Sequence, residues 1–160
     1  MCIRDSPGLV DVARREFDRV LGERPNQIDR RRQVSITADD LLDTHIEDGS
    51  VTEEGLRTNV AVGMRYLDSW LAGQGAAGID DLMEDVATAE ISRSQIWQWV
   101  NHGVGIASLG SIDADLVRRI ADEEADRHDV APLAKEVFLE VALAPRFIEF
   151  LTLSAYEHID

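Results

Sequence analysis

An acidic cluster near the middle of the chain holds the residues whose types and spacing best suit chemistry. Residues 80–91 read DDLMEDVATAEI, in which five acids surround a few apolar residues. Glu84 and Asp85 follow an apolar Leu-Met pair and precede a stretch rich in tryptophan. A carboxylate held on a loop beside apolar side chains can serve as a general base. Clusters of acids are more often solvated turns, so the spacing alone leaves both interpretations open.

Other residue types offer weaker candidates for a site. Four histidines are scattered along the chain, with no pair at the spacing of metal ligands on a helix: His45, His102, His128 and His158. Ser92 lies outside any Gly-x-Ser-x-Gly pattern and is predicted, with Gln95, to form a capping box at a helix start. The run Arg30–Arg32 could bind phosphate, or it could be an exposed linker. These patterns predict neither a metal site nor a serine nucleophile.

The composition argues against several classes of partner. Among 160 residues, 31 are acidic and 16 are basic, which gives a formal net charge of −15. Nucleic acid and anionic lipid attract basic surfaces, so we expect neither nucleic acid nor a membrane as a partner. No apolar run approaches the roughly 20 residues of a membrane span. No signal peptide or peroxisomal address is visible, and the single cysteine, Cys2, excludes an intramolecular disulfide. We therefore expect a cytoplasmic protein.

Hydrophobic periodicity at helical spacing predicts an all-α fold, a helical bundle of about six helices. The longest helix is predicted from its N-cap at Thr52 to Gly73, with an apolar stripe typical of a core. No segment shows the sustained period-two alternation of a half-buried strand, and residues 152–160 form a short acidic tail. The other helices are predicted to begin near Pro7, Thr37, Ser92, Asp113, Pro132 and Arg146.

Residues 82–99 carry a specific resemblance. Their sequence, LMEDVATAEISRSQIWQW, resembles the signature of the malate synthase family. Further segments resemble that family in the same order from Pro7 to the end of the chain, and the pattern is closest to the shorter, A-type form. These segments are PGLV at 7–10, FD at 17–18, PNQ at 25–27, TADDLL at 37–42, EGLRTN at 54–59, VG at 62–63, FLTL at 150–153 and AYE at 155–157.

The resemblance implies a division of the chain. The family's fold is a (β/α)8 barrel followed by a helical C-terminal domain that caps the active site at the barrel mouth. Residues 7–33 are then a remnant of the last barrel helix with its linker, and residues 34–160 are the C-terminal helical cap domain. Residues 1–6 stand where a barrel strand is expected, and they are treated as a candidate artefact. The rest of the (β/α)8 barrel is missing from this chain and is its expected partner.

The resemblance also implies an activity. The family condenses acetyl-CoA with glyoxylate and water to give malate and CoA, an acyltransferase reaction of the glyoxylate bypass beside the tricarboxylic acid cycle. Asp85 matches the catalytic base, which removes a proton from the acetyl methyl group. The resulting enolate is stabilised by Mg²⁺ and an arginine, and the residues that supply them belong to the barrel and are absent from this chain. The chain alone is therefore expected to be inactive, and no cofactor-binding residue is assigned.

Three neighbours of Asp85 in the motif receive no catalytic step. Glu84 is expected to shape the loop, Arg93 to pair with a nearby acid, and Trp97 to lie in the core or at the interface with the barrel. A cap domain without its barrel should expose an apolar face, and the candidates are Trp97, Trp99 and the helix at 7–21. The alternative function is a free-standing helical interaction module without catalytic activity, descended from such a cap.

Overall fold

The computed structural model describes residues 7–159, and the chain divides into two compact units after Gly49. The candidate artefact at residues 1–6 lies outside the described residues. Seven α-helices and four short strands occur between residues 7 and 159, so the fold is mostly helical, as predicted. None of these helices is long and apolar enough to cross a membrane. The helices are α1 (Val10–Leu21), α2 (Ala38–Leu42), α3 (Glu53–Leu71), α4 (Val86–Asn101), α5 (Ala114–His128), α6 (Pro132–Ala142) and α7 (Leu151–Tyr156). The strands are β1 (Ala77–Ile79), β2 (Leu82–Glu84), β3 (Gly105–Ile106) and β4 (Gly110–Ser111).

The first unit, described over residues 7–49, has local helical structure and no buried residue. Pro7 opens a turn of 3-10 helix before α1, because its fixed φ suits a first helical turn. Thr37 caps α2: its hydroxyl accepts from the Asp40 amide at 3.2 Å, and the Asp40 carboxylate accepts from the Thr37 amide at 2.8 Å. Both predicted helix starts are confirmed. The apolar side chains nevertheless stay in solvent, and Phe17 is 62% exposed.

The second unit, described over residues 50–159, is organised around α3. Thr52 caps this helix as predicted, and its hydroxyl accepts from the Gly55 amide at 3.0 Å. The predicted apolar stripe of α3 is buried, and the helix packs against α4, α5 and α6. A Cβ added at Gly63 would lie 2.3 Å from Cε2 of Phe138. The missing side chain at this position therefore allows the Phe138 ring of α6 to pack directly on α3.

A cluster of ion pairs joins α3 to α5. Arg57 Nη1 donates to Glu124 Oε1 at 3.0 Å, and its Nη2 lies 2.7 Å from Glu123 Oε2. The hydrogen bonds to Glu123 and then to Glu53 raise the pKa of Arg57, and the bond from Arg57 lowers the pKa of Glu123. Glu124 is only 2% exposed and also accepts from Arg127 at 2.9 Å. A buried carboxylate requires such partners, because a charge removed from water without them is costly.

Two short antiparallel hairpins interrupt the predicted all-helical pattern. β1 pairs with β2 in the register Ala77↔Glu84 and Ile79↔Leu82, and β3 pairs with β4. Strands of two or three residues are too short to show period-two alternation, and neither turn carries the Asn-Gly or Asp-Gly pair that marks a hairpin in sequence. The absence of strands is therefore a wrong prediction at these two places, while the helical class holds.

Two helix boundaries also differ from the predictions. α4 begins at Val86, well before the predicted capping box at Ser92, and Ser92 is buried inside the helix. The last helix is α7 rather than a helix starting near Arg146, so the acidic tail is partly helical. The Leu151 amide at the start of α7 donates to Glu90 Oε1 at 2.6 Å. This cap comes from α4, so the local sequence holds no signal for it.

Candidate active site

Asp85 lies at the junction between the β1–β2 hairpin and α4. It follows β2 directly and is the N-cap of α4, with Oδ1 accepting from the Ala87 amide at 2.9 Å. An amide in the first turn of a helix has no acceptor inside that helix, so the Ala87 amide bonds to the N-cap side chain instead. This hydrogen bond fixes the direction of the Asp85 carboxylate. The side chain is exposed, and no residue of the described chain donates to Oδ2. One carboxylate oxygen is therefore free to accept a proton.

Glu84 has a different environment although it precedes Asp85 directly. Its Oε2 accepts a hydrogen bond from the Thr88 hydroxyl at 2.6 Å, and its side chain is half-buried. The bond spans the junction and ties the end of β2 to the first turn of α4. This contact is consistent with a loop-shaping role for Glu84. Thr88 was not predicted, because a threonine inside a helix carries no signal of such a contact. Each of the two candidate acids therefore has one carboxylate oxygen in a hydrogen bond, and they differ in exposure: Asp85 is exposed, whereas Glu84 is half-buried.

The hairpin that carries Asp85 is anchored to α3 at two points. At the turn, Arg65 Nη1 lies 2.9 Å from both carboxylate oxygens of Asp80. Before β1, the hydroxyl of Tyr66 donates to the Gly75 carbonyl at 3.0 Å. Burial raises the pKa of Tyr66, and the negative charge of Asp85 raises it further. The buried phenol of α3 therefore lies within electrostatic range of the candidate base.

Apolar side chains with free surface flank Asp85 in the chain. Leu82 is 38% exposed, Met83 is 43% exposed and Val86 is 40% exposed. A partner surface placed over these side chains would bury apolar area and exclude water from the carboxylate. The junction thus combines a free carboxylate oxygen with an apolar rim, as the sequence interpretation of a base beside apolar side chains requires.

Arg93 and Glu90 hold the other end of the motif in place. Arg93 is only 1% exposed. Its Nη2 lies 2.7 Å from Glu90 Oε2, and its guanidinium stacks on the Phe147 ring, with Cζ 4.1 Å from the ring centroid. The expected pairing of Arg93 with an acid is confirmed. Trp97 is half-buried, and its indole N–H donates to the Ala144 carbonyl at 2.8 Å. These contacts attach α4 to the C-terminal segment, so they support the helix that Asp85 caps.

The remaining candidates do not converge on this junction. His128 lies 3.6 Å from Glu124 on α5, and the other three histidines are exposed. Arg30–Arg32 is an exposed run whose side chains bond to Gln27 and Asp29 nearby. Within residues 7–159, no group of three or more His, Cys, Asp or Glu side chains is placed to hold a metal ion. The described residues therefore do not fit the Mg²⁺ that the resemblance implies.

The fold and the site define a class of protein: a helical domain that presents one free carboxylate oxygen at a hairpin–helix junction. A family model described as malate synthase, C-terminal, matches residues 50–159. The chain is 45% identical to a malate synthase of Streptomyces clavuligerus over 96% of its own length, and 37% identical to malate synthase A of Escherichia coli K12 over 94%. It is also 38% identical to a bifunctional glyoxylate cycle protein of Caenorhabditis elegans, of which it covers 16%. The chain belongs to the malate synthase family. It spans about 30% of the length of the two bacterial relatives.

Proposed function

We propose that this chain is the C-terminal part of a malate synthase and that Asp85 is its catalytic base. The reaction is the condensation of acetyl-CoA with glyoxylate and water to malate and CoA. The observation that carries the proposal is the carboxylate of Asp85, which lies inside the family match, is held by one hydrogen bond and keeps Oδ2 free. Its neighbour Glu84 is half-buried and tied to Thr88, so the exposed Asp85 is the acid that a substrate on a facing surface can reach.

The proposed step transfers a proton from carbon to oxygen. Oδ2 of Asp85 takes a proton from the acetyl methyl group, and the electrons of the broken C–H bond form the enolate of the thioester. The enolate carbon then attacks the aldehyde carbon of glyoxylate and forms the new C–C bond. The electrons of the broken C=O π bond move to the aldehyde oxygen, which takes a proton from solvent and becomes the hydroxyl of malate. Water hydrolyses the thioester, which releases malate and CoA. A positioned base of this kind contributes about 10²–10⁴-fold to a rate.

The proposal assigns the rest of the active site to the (β/α)8 barrel. In the complete enzyme, Mg²⁺ would be held by barrel residues that this chain lacks, and it would stabilise the negative charge of the enolate. Glyoxylate and acetyl-CoA would bind mainly on the barrel, because the base alone positions neither substrate. Positioning is a large part of the rate, so the chain by itself should be inactive. The chain's share of its relatives' length, about 30%, is in line with this assignment.

The exposed apolar side chains of residues 7–49 support the barrel as a partner. No residue of this unit is buried, and Phe17 and Leu42 are 62% and 77% exposed. A segment with many exposed apolar side chains and no buried residue is typical of one that packs against another part of a larger protein. We assign residues 7–33 to the last barrel helix and its linker. The cytoplasmic location stays a prediction, since relatives named as glyoxysomal malate synthases also match the chain.

A chimaeric enzyme tests the proposal. The part of the Streptomyces clavuligerus malate synthase that precedes the match is joined to this chain, and release of the CoA thiol is followed with acetyl-CoA, glyoxylate and Mg²⁺. We expect the chimaera to be active, the chain alone to be inactive, and Asp85→Asn to lower kcat at least about 100-fold without loss of fold. Asp113→Asn is the matched control, because Asp113 is also an exposed N-cap, accepting from the Leu116 amide at 2.8 Å. Full activity of the Asp85→Asn chimaera would show that the base is another residue.

A free-standing helical interaction module is the second candidate function. The exposure of apolar side chains in residues 7–49 favours it, because such a surface can bind a separate protein as well as a barrel. In a module of this kind Asp85 has no catalytic task. A chimaera that is folded and inactive would favour the module over the enzyme.

A further inference from the structure

The turn of the β1–β2 hairpin has an unfavourable backbone conformation. Asp80 has φ of 50° and Asp81 has φ of 62°, so both central residues lie in the left-handed region. Two-residue turns of this type close hairpins well and accept Asp at the first position, but they favour Gly at the second, where Asp81 stands. The hairpin also has only three residues in each strand, and two-stranded hairpins are marginal without tertiary support. Contacts from outside the hairpin must therefore hold it in this conformation.

Arg65 supplies such a contact at the turn itself. Its Nη1 lies 2.9 Å from both Oδ1 and Oδ2 of Asp80, the first residue of the turn. Arg65 projects from α3, which has a buried apolar stripe and packs against α4, α5 and α6. The ion pair thus ties the tip of the hairpin to a rigid element. Buried side chains also hold the hairpin, Ile79 directly before the turn and Ala77 at the opposite end, where Tyr66 bonds to Gly75 before β1.

The hairpin in turn determines where Asp85 lies. β2 ends at Glu84, paired with Ala77, and the next residue is Asp85. If the turn were not held, the hairpin could move relative to α3. Such a movement would shift the end of β2 and, with it, the Asp85 carboxylate. We propose that Arg65 is a positioning residue for Asp85, acting through its ion pair with Asp80. This inference rests on the proposed function, since it gives a residue outside the family motif a task in the same reaction.

The first test uses the 160-residue chain and needs no activity. Arg65→Gln removes the charge, and we expect amide hydrogen exchange in residues 77–84 to accelerate at least about fivefold, because the local opening becomes easier. The fold should persist, since an ion pair at a partly exposed site contributes little to global stability. Arg65→Lys, which keeps a cation for Asp80, should restore most of the protection.

Arg118→Gln is the control, because Arg118 also pairs with an exposed aspartate, Asp115 at 3.4 Å on α5, far from the hairpin in sequence. Exchange within about twofold of the unmodified chain in Arg65→Gln would overturn the inference.

The second test uses the chimaera. We expect Arg65→Gln to lower kcat about tenfold, while KM for acetyl-CoA and glyoxylate stays within about twofold, because a base displaced by a fraction of an ångström slows proton transfer more than binding. Arg65→Lys should recover most of kcat, and Arg118→Gln should keep it. Faster exchange with an unchanged kcat would overturn the positioning role and leave the proposed function standing. A chimaera that stays fully active with Asp85→Asn would overturn the proposed function, while the exchange data still decide whether Arg65 holds the hairpin.

Discussion

Residues 7–49 and residues 50–159 carry the same local signals for helices but differ in burial. A threonine hydroxyl caps a helix in each unit, Thr37 in the first and Thr52 in the second. The second unit buries the apolar stripe of α3, whereas no side chain of the first unit is buried. Phe17 is 62% exposed, while Phe138 is fully buried.

The difference separates the two causes of helical structure. Caps and apolar spacing act within a turn or two of chain, so they operate equally in both units. Packing requires a second apolar surface at the right distance, and it supplies most of the stability of a helix in a protein. The second unit contains that surface in its own sequence. The first unit has exposed apolar side chains and no buried residue of its own, in line with the proposed assignment of residues 7–33 to a barrel.

The largest expected effect comes from truncating one phenylalanine in each unit. Phe138→Ala should lower the free energy of unfolding by about 3–5 kcal/mol, because it leaves a cavity between α6 and α3. Phe17→Ala should lower it by less than about 0.5 kcal/mol, since its ring is already in solvent. Chemical denaturation followed by circular dichroism measures both. An equal loss in the two variants would show that the first unit shares a cooperative core in solution and would break the comparison.

A smaller effect is expected from removing the two threonine caps. Thr52→Ala should cost about 1 kcal/mol of unfolding free energy, because the Gly55 amide loses its acceptor. Thr37→Ala removes an equivalent cap from a helix of only five residues, and it should leave the main unfolding transition unchanged. The same denaturation assay decides, with Thr→Ser at each site as the conservative control. A shift of the main transition by Thr37→Ala would mean that α2 unfolds together with the second unit.

The smallest effect is expected in the pH dependence of stability. The hydrogen bond from Arg57 lowers the pKa of Glu123, and bonds from the backbone and hydroxyl of Thr37 lower that of Asp40. A carboxyl whose pKa is lower in the folded state stabilises the fold above its unfolded pKa, and this stabilisation is lost as the pH falls through the folded pKa. Thermal unfolding midpoints should therefore drop below about pH 4.5, the ordinary value for glutamate.

Single-residue variants assign that drop to one unit. Glu123→Gln should make the acid side of the midpoint curve flatter, because the charged partner of Arg57 no longer titrates. Asp40→Asn should leave the curve unchanged. Residues 7–49 contain no buried residue, so this unit is not expected to contribute to the cooperative unfolding transition that the midpoint reports. Glu136→Gln, an exposed position on α6, is the neutral control. A flatter curve for Asp40→Asn and an unchanged one for Glu123→Gln would reverse the comparison.

Much of the candidate site could be predicted from sequence because its signals are local. Asp85 stands in a contiguous motif, and the resemblance of residues 82–99 to the malate synthase signature pointed to the family that the comparisons show. The motif did not reveal that Asp85 caps α4, and the predicted start at Ser92 was wrong. Ser92 and Gln95 have the spacing of a capping box, but that pattern also occurs inside helices, where burial rather than capping determines the role of the serine.

The elements that sequence reasoning could not find depend on contacts between distant residues. The β1–β2 hairpin forms from an Asp80-Asp81 turn that lacks the usual turn chemistry, and Arg65 of α3 meets that turn across 15 positions of sequence. α7 starts where Glu90 of α4, 61 positions away, accepts from its first amide. Such contacts leave no periodic trace in either segment.

Most helix positions and the acidic character thus follow from the sequence, because caps and periodicity act between near neighbours, and the candidate base follows from the resemblance of residues 82–99 to the family signature. The tertiary structure alone decided how exposed each of the two adjacent acids is. Glu84 is half-buried and accepts from Thr88, whereas Asp85 is exposed and caps α4. It also decided which apolar stripes became a core. Burial depends on a facing surface, and residues 50–159 provide one for α3 while the described first unit has no buried side chain.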